Sequence, residues 1–390
     1  MVTVPLWGRR GLTTSVAAAL LAGAFAGRPY ARGAAFVVQA TGMQGVARTA
    51  ARLETQPITA GDAFEVPWRH GTLRARAYRP ADWHGARGVM LVPGVHASGI
   101  DEPRLVGFAR DIASIGHPVL TIELPDLTRY TITPRTTDMI EDAAAWMIQR
   151  PEYRGGDGRI GMMGISFAGG LSIVAAARPT IKDHVAFVMS FGGHGDLPRT
   201  LRYLCTGIQP DGTSRPPHDY GLAIVLLGTA DRVVPPAQAR PLRDAILTFL
   251  DASRLDMVDK TQSAAQFGRA KAIEATLAEP ARTYMGYVNA RDVKRLGPIL
   301  LPHMAAAGGD PSLSPSRSAP PVCPVYLLHG ADDNVVPAIE SVLLARDLRA
   351  RGARVHQLST ALITHAQVDR TSAMTAIWRL IDFWSDLLDE

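Results

Sequence analysis

Five short runs of apolar residues, at 88–92, 119–122, 159–164, 185–190 and 324–328, are bounded by glycine, proline and polar residues. Runs of that length, with no alternation, read as strands buried on both faces. The segments 63–68 and 72–80 instead alternate apolar and polar residues around His70-Gly71, which predicts an antiparallel hairpin with one wet face. A further strand is expected at 354–358. Apolar residues at helical spacing fill 103–115, 136–149 and 372–388, the last with Met374, Ile377, Trp378, Ile381, Trp384 and Leu388 as a core-facing stripe. Strands that alternate with helices in this way predict an α/β protein with a mostly parallel central sheet flanked by helices.

The strand pattern lapses between residues 197 and 321. Two amphipathic helices are expected there, at 236–255 (with Leu242, Ile246, Phe249 and Leu250 on one face) and at 262–279, followed by the hinge-like run GGDPSLSPSRSAPP. An insert of about 120 residues is too long for a bare loop and has the size of a functional lid. The resulting division is 1–26 leader, 27–62 linking helical segment, 63–196 first part of the core, 197–321 lid and 322–390 second part of the core.

Candidate chemistry centres on Ser166. It stands between a buried strand and the helix-like run LSIVAAA, in Gly164-Ile165-Ser166-Phe167-Ala168-Gly169-Gly170. A serine hydroxyl is a weak nucleophile, so it must stand on a tight turn where a base can reach it, and small residues two before and two after permit that turn. Ala168 replaces the second glycine of the G-x-S-x-G pattern. The bland alternative is a serine that only caps the helix. Downstream, Asp333 follows the strand at 324–328, and His365 follows Asp333 by 32 residues, the length of one strand-helix-strand unit. The order Ser, Asp, His is that of nucleophile-elbow hydrolases. Asp332, Asp196 and Asp231 are rival acids, and Asp231 is read as capping a buried lid helix. The loop after the strand at 88–92 offers the amide of Val95, and the helix start offers that of Phe167, as oxyanion donors. His96 and Asp332 are candidates for groups beside the substrate.

These motifs, LVPGVH at 91–96, GISFAGG at 164–170, LLHGADDNVVP at 327–337 and ITHA at 363–366, resemble those of the α/β-hydrolase superfamily, in particular its dienelactone-hydrolase-like bacterial branch. The resemblance runs from about residue 64 to the C-terminus, interrupted by the insert. It implies an α/β-hydrolase fold and serine-hydrolase chemistry with a Ser166, Asp333, His365 triad, and says little about substrate. The helical lid, with its many Leu, Ile and Ala residues, suits a small-molecule carboxylic ester with an apolar acyl or alcohol group, and no cofactor is expected because the glycine-rich run at 164–170 has no Walker lysine. Peptidase or amidase chemistry on the same fold, or a non-catalytic membrane-associated binding protein, are the rival readings.

Composition narrows the address and the partners. Of 41 basic residues only Lys182, Lys260, Lys271 and Lys294 are lysines, and the net charge of +5 is scattered without a run, so nucleic acid is not an expected partner. The eleven histidines form no H-E-x-x-H or paired Cys/His spacing, so no metal site is expected. Arg9-Arg10, an uncharged apolar run at 11–27 and an A-x-A ending predict a signal peptide cleaved after Ala26, or an uncleaved anchor that holds the chain at a membrane. Export to the periplasm or beyond would permit a disulfide between Cys205 and Cys323, although two separate buried thiols are the favoured reading.

Overall fold

The computed structural model describes residues 27, 29–42, 46–83, 85–256, 258–363 and 370–390. The leader at 1–26, the linker residues 28 and 43–45, and residues 364–369 with His365 lie outside them.

Nine strands form one sheet: β1 (Ile58–Ala60), β2 (Phe64–Trp68), β3 (Gly71–Pro80), β4 (Val89–Val92), β5 (Val119–Ile122), β6 (Ile160–Ile165), β7 (Val185–Phe191), β8 (Val325–Gly330) and β9 (Val355–Thr360). Their spatial order is β1-β3-β5-β4-β6-β7-β8-β9, with β2 also paired to β3. The hairpin β2–β3 is antiparallel through the pairs Phe64↔Ala75 to Trp68↔Gly71, and β3 meets β5 antiparallel. From β5 to β9 every pairing is parallel.

The runs without alternation fall where the sheet is covered on both sides. In β4, Met90 and Val92 enter one core while Val89 and Leu91 enter the other, and β8 divides Val325 and Leu327 from Tyr326 and Leu328 in the same way. This is the two-residue period of a strand with no wet face. The first core is closed by helices Pro134–Ile148, Phe167–Ala176 and Ile339–Ala350, the second by Pro103–Ser114 and the C-terminal helix Arg370–Asp389. The expected stripe on that last helix holds at Ile381, Trp384 and Leu388 but fails at Trp378, which is 62 % exposed. Trp378 lies three residues before Ile381, at the margin of the stripe, and the helix turns it outward.

Residues 29–40 form a helix on the second core. Phe36 packs on Trp384 with ring centroids 4.2 Å apart. Arg32 donates to the carbonyl of Ile115 (2.5 Å) and to Nε2 of the buried His117 (3.1 Å), while His117 Nδ1–H donates to the carbonyl of Arg87 (3.0 Å). The ring is thus held neutral: burial, and then the Arg32 guanidinium, push its pKa down to about 4. The unfolded chain binds a proton near pH 6.5, so stability is full above that value and falls as pH drops from 6.5 to 4, by about 3 kcal/mol in all. Urea unfolding of wild type and His117→Gln is therefore expected to show a gap that narrows by about that amount between pH 7 and pH 4. A gap constant with pH would show that the native ring protonates as readily as the unfolded one.

Between β7 and β8 the chain is helical, through Leu197–Thr206, Asp219–Val233, Pro236–Leu255, Lys260–Thr276, Ala281–Asn289 and Val293–Leu300. These form a cap whose apolar faces, among them Leu226, Leu242, Ile246 and Leu250, are buried. The outgoing and returning ends of the cap are tied to each other. His194 Nε2–H donates to the Leu313 carbonyl (2.7 Å), Leu197 N–H to Ser314 Oγ (2.9 Å), Ser316 N–H to the Gly195 carbonyl (3.0 Å) and Arg317 Nε to Asp196 Oδ2 (2.7 Å). Beneath them the buried carboxylate of Glu340 accepts from the amides of Gly195 and Asp196 and from Arg199. Cys205 and Cys323 are free, buried thiols, and burial pushes both up to about 12.

Candidate active site

Strand β6 delivers Ser166 to the end of the sheet, and the helix Phe167–Ala176 starts immediately after it. Ser166 has φ 55° and ψ −135°. A non-glycine residue with positive φ is strained, and such strain persists only where the surroundings over-determine it. Here the Ser166 amide donates to the Phe191 carbonyl at the end of β7 (2.7 Å), and the Ser166 carbonyl accepts from Gly169 (2.8 Å). Gly164 is required for the turn, because a Cβ there would stand 2.6 Å from the carbonyl carbon of Ala168. Ala168 itself is fully buried, so the alanine that breaks the pattern fits. Ser166 makes no side-chain cap to the helix, which removes the helix-cap alternative.

The loop after β4 presses against this turn. A Cβ at Gly94 would lie 3.2 Å from both Ser166 Cβ and the Ile165 carbonyl oxygen. Val95 follows, half-buried, and its N–H finds no acceptor among the described residues. The N–H of Phe167 opens a helix, where helical geometry provides no acceptor either. His96 accepts the Ser98 amide at Nδ1 (3.2 Å), which leaves the ring proton on Nε2. Burial lowers its pKa below the ordinary histidine value, so the ring is neutral.

Strand β8 leads into the loop of Asp333, the candidate acid. Asp333 Oδ1 accepts the amides of Val335 (2.8 Å) and Val336 (3.0 Å), which fixes the carboxylate with Oδ2 3.5 Å from His329 Nε2. His329 is buried; its Nε2–H donates to the Val336 carbonyl (2.8 Å) and its Nδ1 accepts from Ser341 Oγ (2.5 Å), so it anchors the loop. Ser166, Val95, Phe167, His96 and Asp333 all line one cavity of about 1310 Å³. Its cap side mixes apolar residues, Leu201, Leu204, Ile224, Val225, Leu250 and Phe267, with charged ones, Arg232, Arg254, Asp256 and Arg291.

The rival acids fall elsewhere. Asp332 is 50 % exposed and pairs with Arg215 (3.4 Å), whereas Asp333 is 28 % exposed and faces the cavity. Asp196 caps the helix Leu197–Thr206 through the Arg199 amide (2.9 Å) and pairs with Arg317. The expected capping role of Asp231 is not found: the helix Asp219–Val233 runs through it, and its exposed carboxylate pairs with Arg243. His365 lies outside the described residues, in the link between the end of β9 and the C-terminal helix.

Two residues at the site carry no obvious sequence signal. His329 is part of the LLHG run but looks there like one more strand residue. Tyr220, whose hydroxyl donates to the Val95 carbonyl (3.0 Å), sits in the cap 125 positions away from its partner.

No protein-family model matches the chain, and no curated protein matches it. Among solved structures it is similar to the hyperthermophilic esterase of the archaeon Pyrobaculum calidifontis (14 % identity, TM-score 0.47, 92 % of this chain and 90 % of that one). It is also similar to EstE1, a thermostable carboxylesterase cloned from a metagenomic library (16 %, 0.43, 86 % and 93 %). A third is brefeldin A esterase, a bacterial homologue of human hormone-sensitive lipase (12 %, 0.46, 86 % and 79 %). The order of the sheet, its single antiparallel edge, the strained serine between β6 and its helix, and the Asp333 loop after β8 give this chain the α/β-hydrolase fold.

Proposed function

We propose that the chain is a serine hydrolase that cleaves carboxylic esters through an acyl-serine intermediate. The observation that carries the reading is the positive-φ Ser166, held at the wall of a cavity that Asp333 and Val95 also line, the Val95 amide having no acceptor among the described residues. His365 takes the proton from Ser166 Oγ as it bonds to the acyl carbon, and Asp333 orients and stabilises the imidazolium. The oxyanion accepts hydrogen bonds from Val95 and Phe167 N–H. The tetrahedral centre then collapses: the ester C–O bond breaks, the alcohol leaves with the proton from His365, and Ser166 stays acylated. Water, deprotonated by His365, attacks the acyl carbon; the bond from that carbon to Ser166 Oγ then breaks, Oγ takes the proton back from His365, and the acid is released. The apolar residues among those of the cap that line the cavity, Leu201, Leu204, Ile224, Val225, Leu250 and Phe267, suit a hydrocarbon acyl or alcohol group. The apolar run at 11–27 exports the chain or holds it at a membrane, which intact-mass analysis of membrane and soluble fractions tests.

The full-length chain is expected to react with a fluorophosphonate probe at the peptide containing Ser166, and to turn over p-nitrophenyl esters much faster than the matching anilides. Faster anilide cleavage would make it an amidase. Neither labelling nor turnover would leave a non-catalytic binding protein with this fold.

A further inference from the structure

We propose that Tyr220 of the cap is a positioning residue for the oxyanion site, so that the cap sets the rate of the chemical step as well as covering the substrate. The proposal rests on the serine-hydrolase reading above. The Tyr220 hydroxyl donates to the Val95 carbonyl at 3.0 Å, and among the described residues no other group bonds to that carbonyl. Val95 thus presents its two polar groups in two ways: its carbonyl is tied to the cap, and its N–H is left for a ligand. Holding the carbonyl fixes the backbone of Val95 between the Gly94 contact with Ser166 and the His96 turn.

Tyr220 is itself held on several sides. Its ring meets Tyr130 edge-on, with centroids 6.2 Å apart, and meets the His218 ring at 5.8 Å. Tyr130 has φ 58° and lines the same cavity. Two residues before Tyr220, the His218 amide donates to the Asn334 carbonyl (2.9 Å), which also accepts from the Tyr203 hydroxyl (3.3 Å). Residues 218–220 therefore bridge the acid loop, one residue beyond Asp333, and the oxyanion loop. Burial pushes the phenol well above its ordinary pKa, so it remains a donor across any assay pH. Preorganised donors aimed at developing charge are worth most when they do not have to move during reaction, and this bridge holds both loops still.

The test compares wild type and Tyr220→Phe, normalised to active sites by fluorophosphonate titration. It measures kcat and KM on a p-nitrophenyl ester, the Ki of a trifluoromethyl ketone that forms a serine hemiketal oxyanion, and the melting temperature. A lost positioning contact costs less than a lost donor, so kcat is expected to fall about 10-fold with KM within about 2-fold, and the ketone Ki to rise by the same factor as kcat falls. A lower melting temperature with kcat and Ki unchanged would overturn the proposal, as would a rise in KM alone, which marks a substrate contact. A wild-type chain that neither labels nor turns over would instead remove the hydrolase reading beneath it.

Discussion

Ser166→Ala is expected to lower ester hydrolysis by about 10⁴-fold or more while leaving the fold and substrate binding intact. The expectation follows from what the side chain does not do. Ser166 Oγ caps no helix, and the strained backbone that presents it is held by the Phe191 carbonyl and the Gly169 amide, which alanine keeps. Removing the hydroxyl therefore deletes the bond-forming atom and little else, and a loss of 10⁴ corresponds to about 5 kcal/mol of transition-state stabilisation. Activity left in the variant would come from the oxyanion donors and binding alone. The measurement is kcat/KM with matched melting curves; turnover within about 10-fold of wild type would remove Ser166 as the nucleophile.

The second large effect separates two neighbouring acids. Asp333→Asn is expected to lower kcat by about 10³ to 10⁴-fold, because the amide oxygen still accepts from Val335 and Val336 while the charge that stabilises an imidazolium is gone. Asp332→Asn should stay within about 2-fold of wild type, since Asp332 is half-exposed and its pair with Arg215 is of a kind worth little. Asp196→Asn belongs with neither: its carboxylate holds a helix start and Arg317, so its loss should appear in melting and not in kcat. Equal losses at Asp332 and Asp333 would show that the loop, and not one carboxylate, carries the effect.

Much of the frame was legible in the sequence because its signals are local. Buried parallel strands read as plain apolar runs, and the Ser166 turn shows its small residues within seven positions. The antiparallel hairpin declared itself by alternation around Gly71. What escaped was decided by distant partners. Tyr220 looks like any aromatic near a helix start until the fold brings it to Val95. Asp231 imitates the acid loop because AIVLLGTADRVVPP repeats the composition of YLLHGADDNVVPA, yet a helix carries the first and a strand the second. Composition at that length does not distinguish a buried strand from a buried helix, and here the surrounding cap decided. Trp378 fits the periodicity of its helix and still faces outward, since spacing fixes a face only to within the width of the stripe.

The clasp at the base of the cap, where His194 to Leu197 meet Leu313 to Arg317, has a consequence for how such a protein changes over time. The entropy of closing a long insert is met locally by a knot of hydrogen bonds and the Arg317–Asp196 pair, whatever length of chain hangs beyond it. Everything distal to that clasp is then a graft on a fixed stem: it can lengthen, shorten or be exchanged for another helical module without disturbing the register of β7 and β8. Apart from residues 218–220, which tie the cap to the loops of Val95 and Asp333, such a stem lets the cap drift in one part of the gene while the sheet stays under separate constraint.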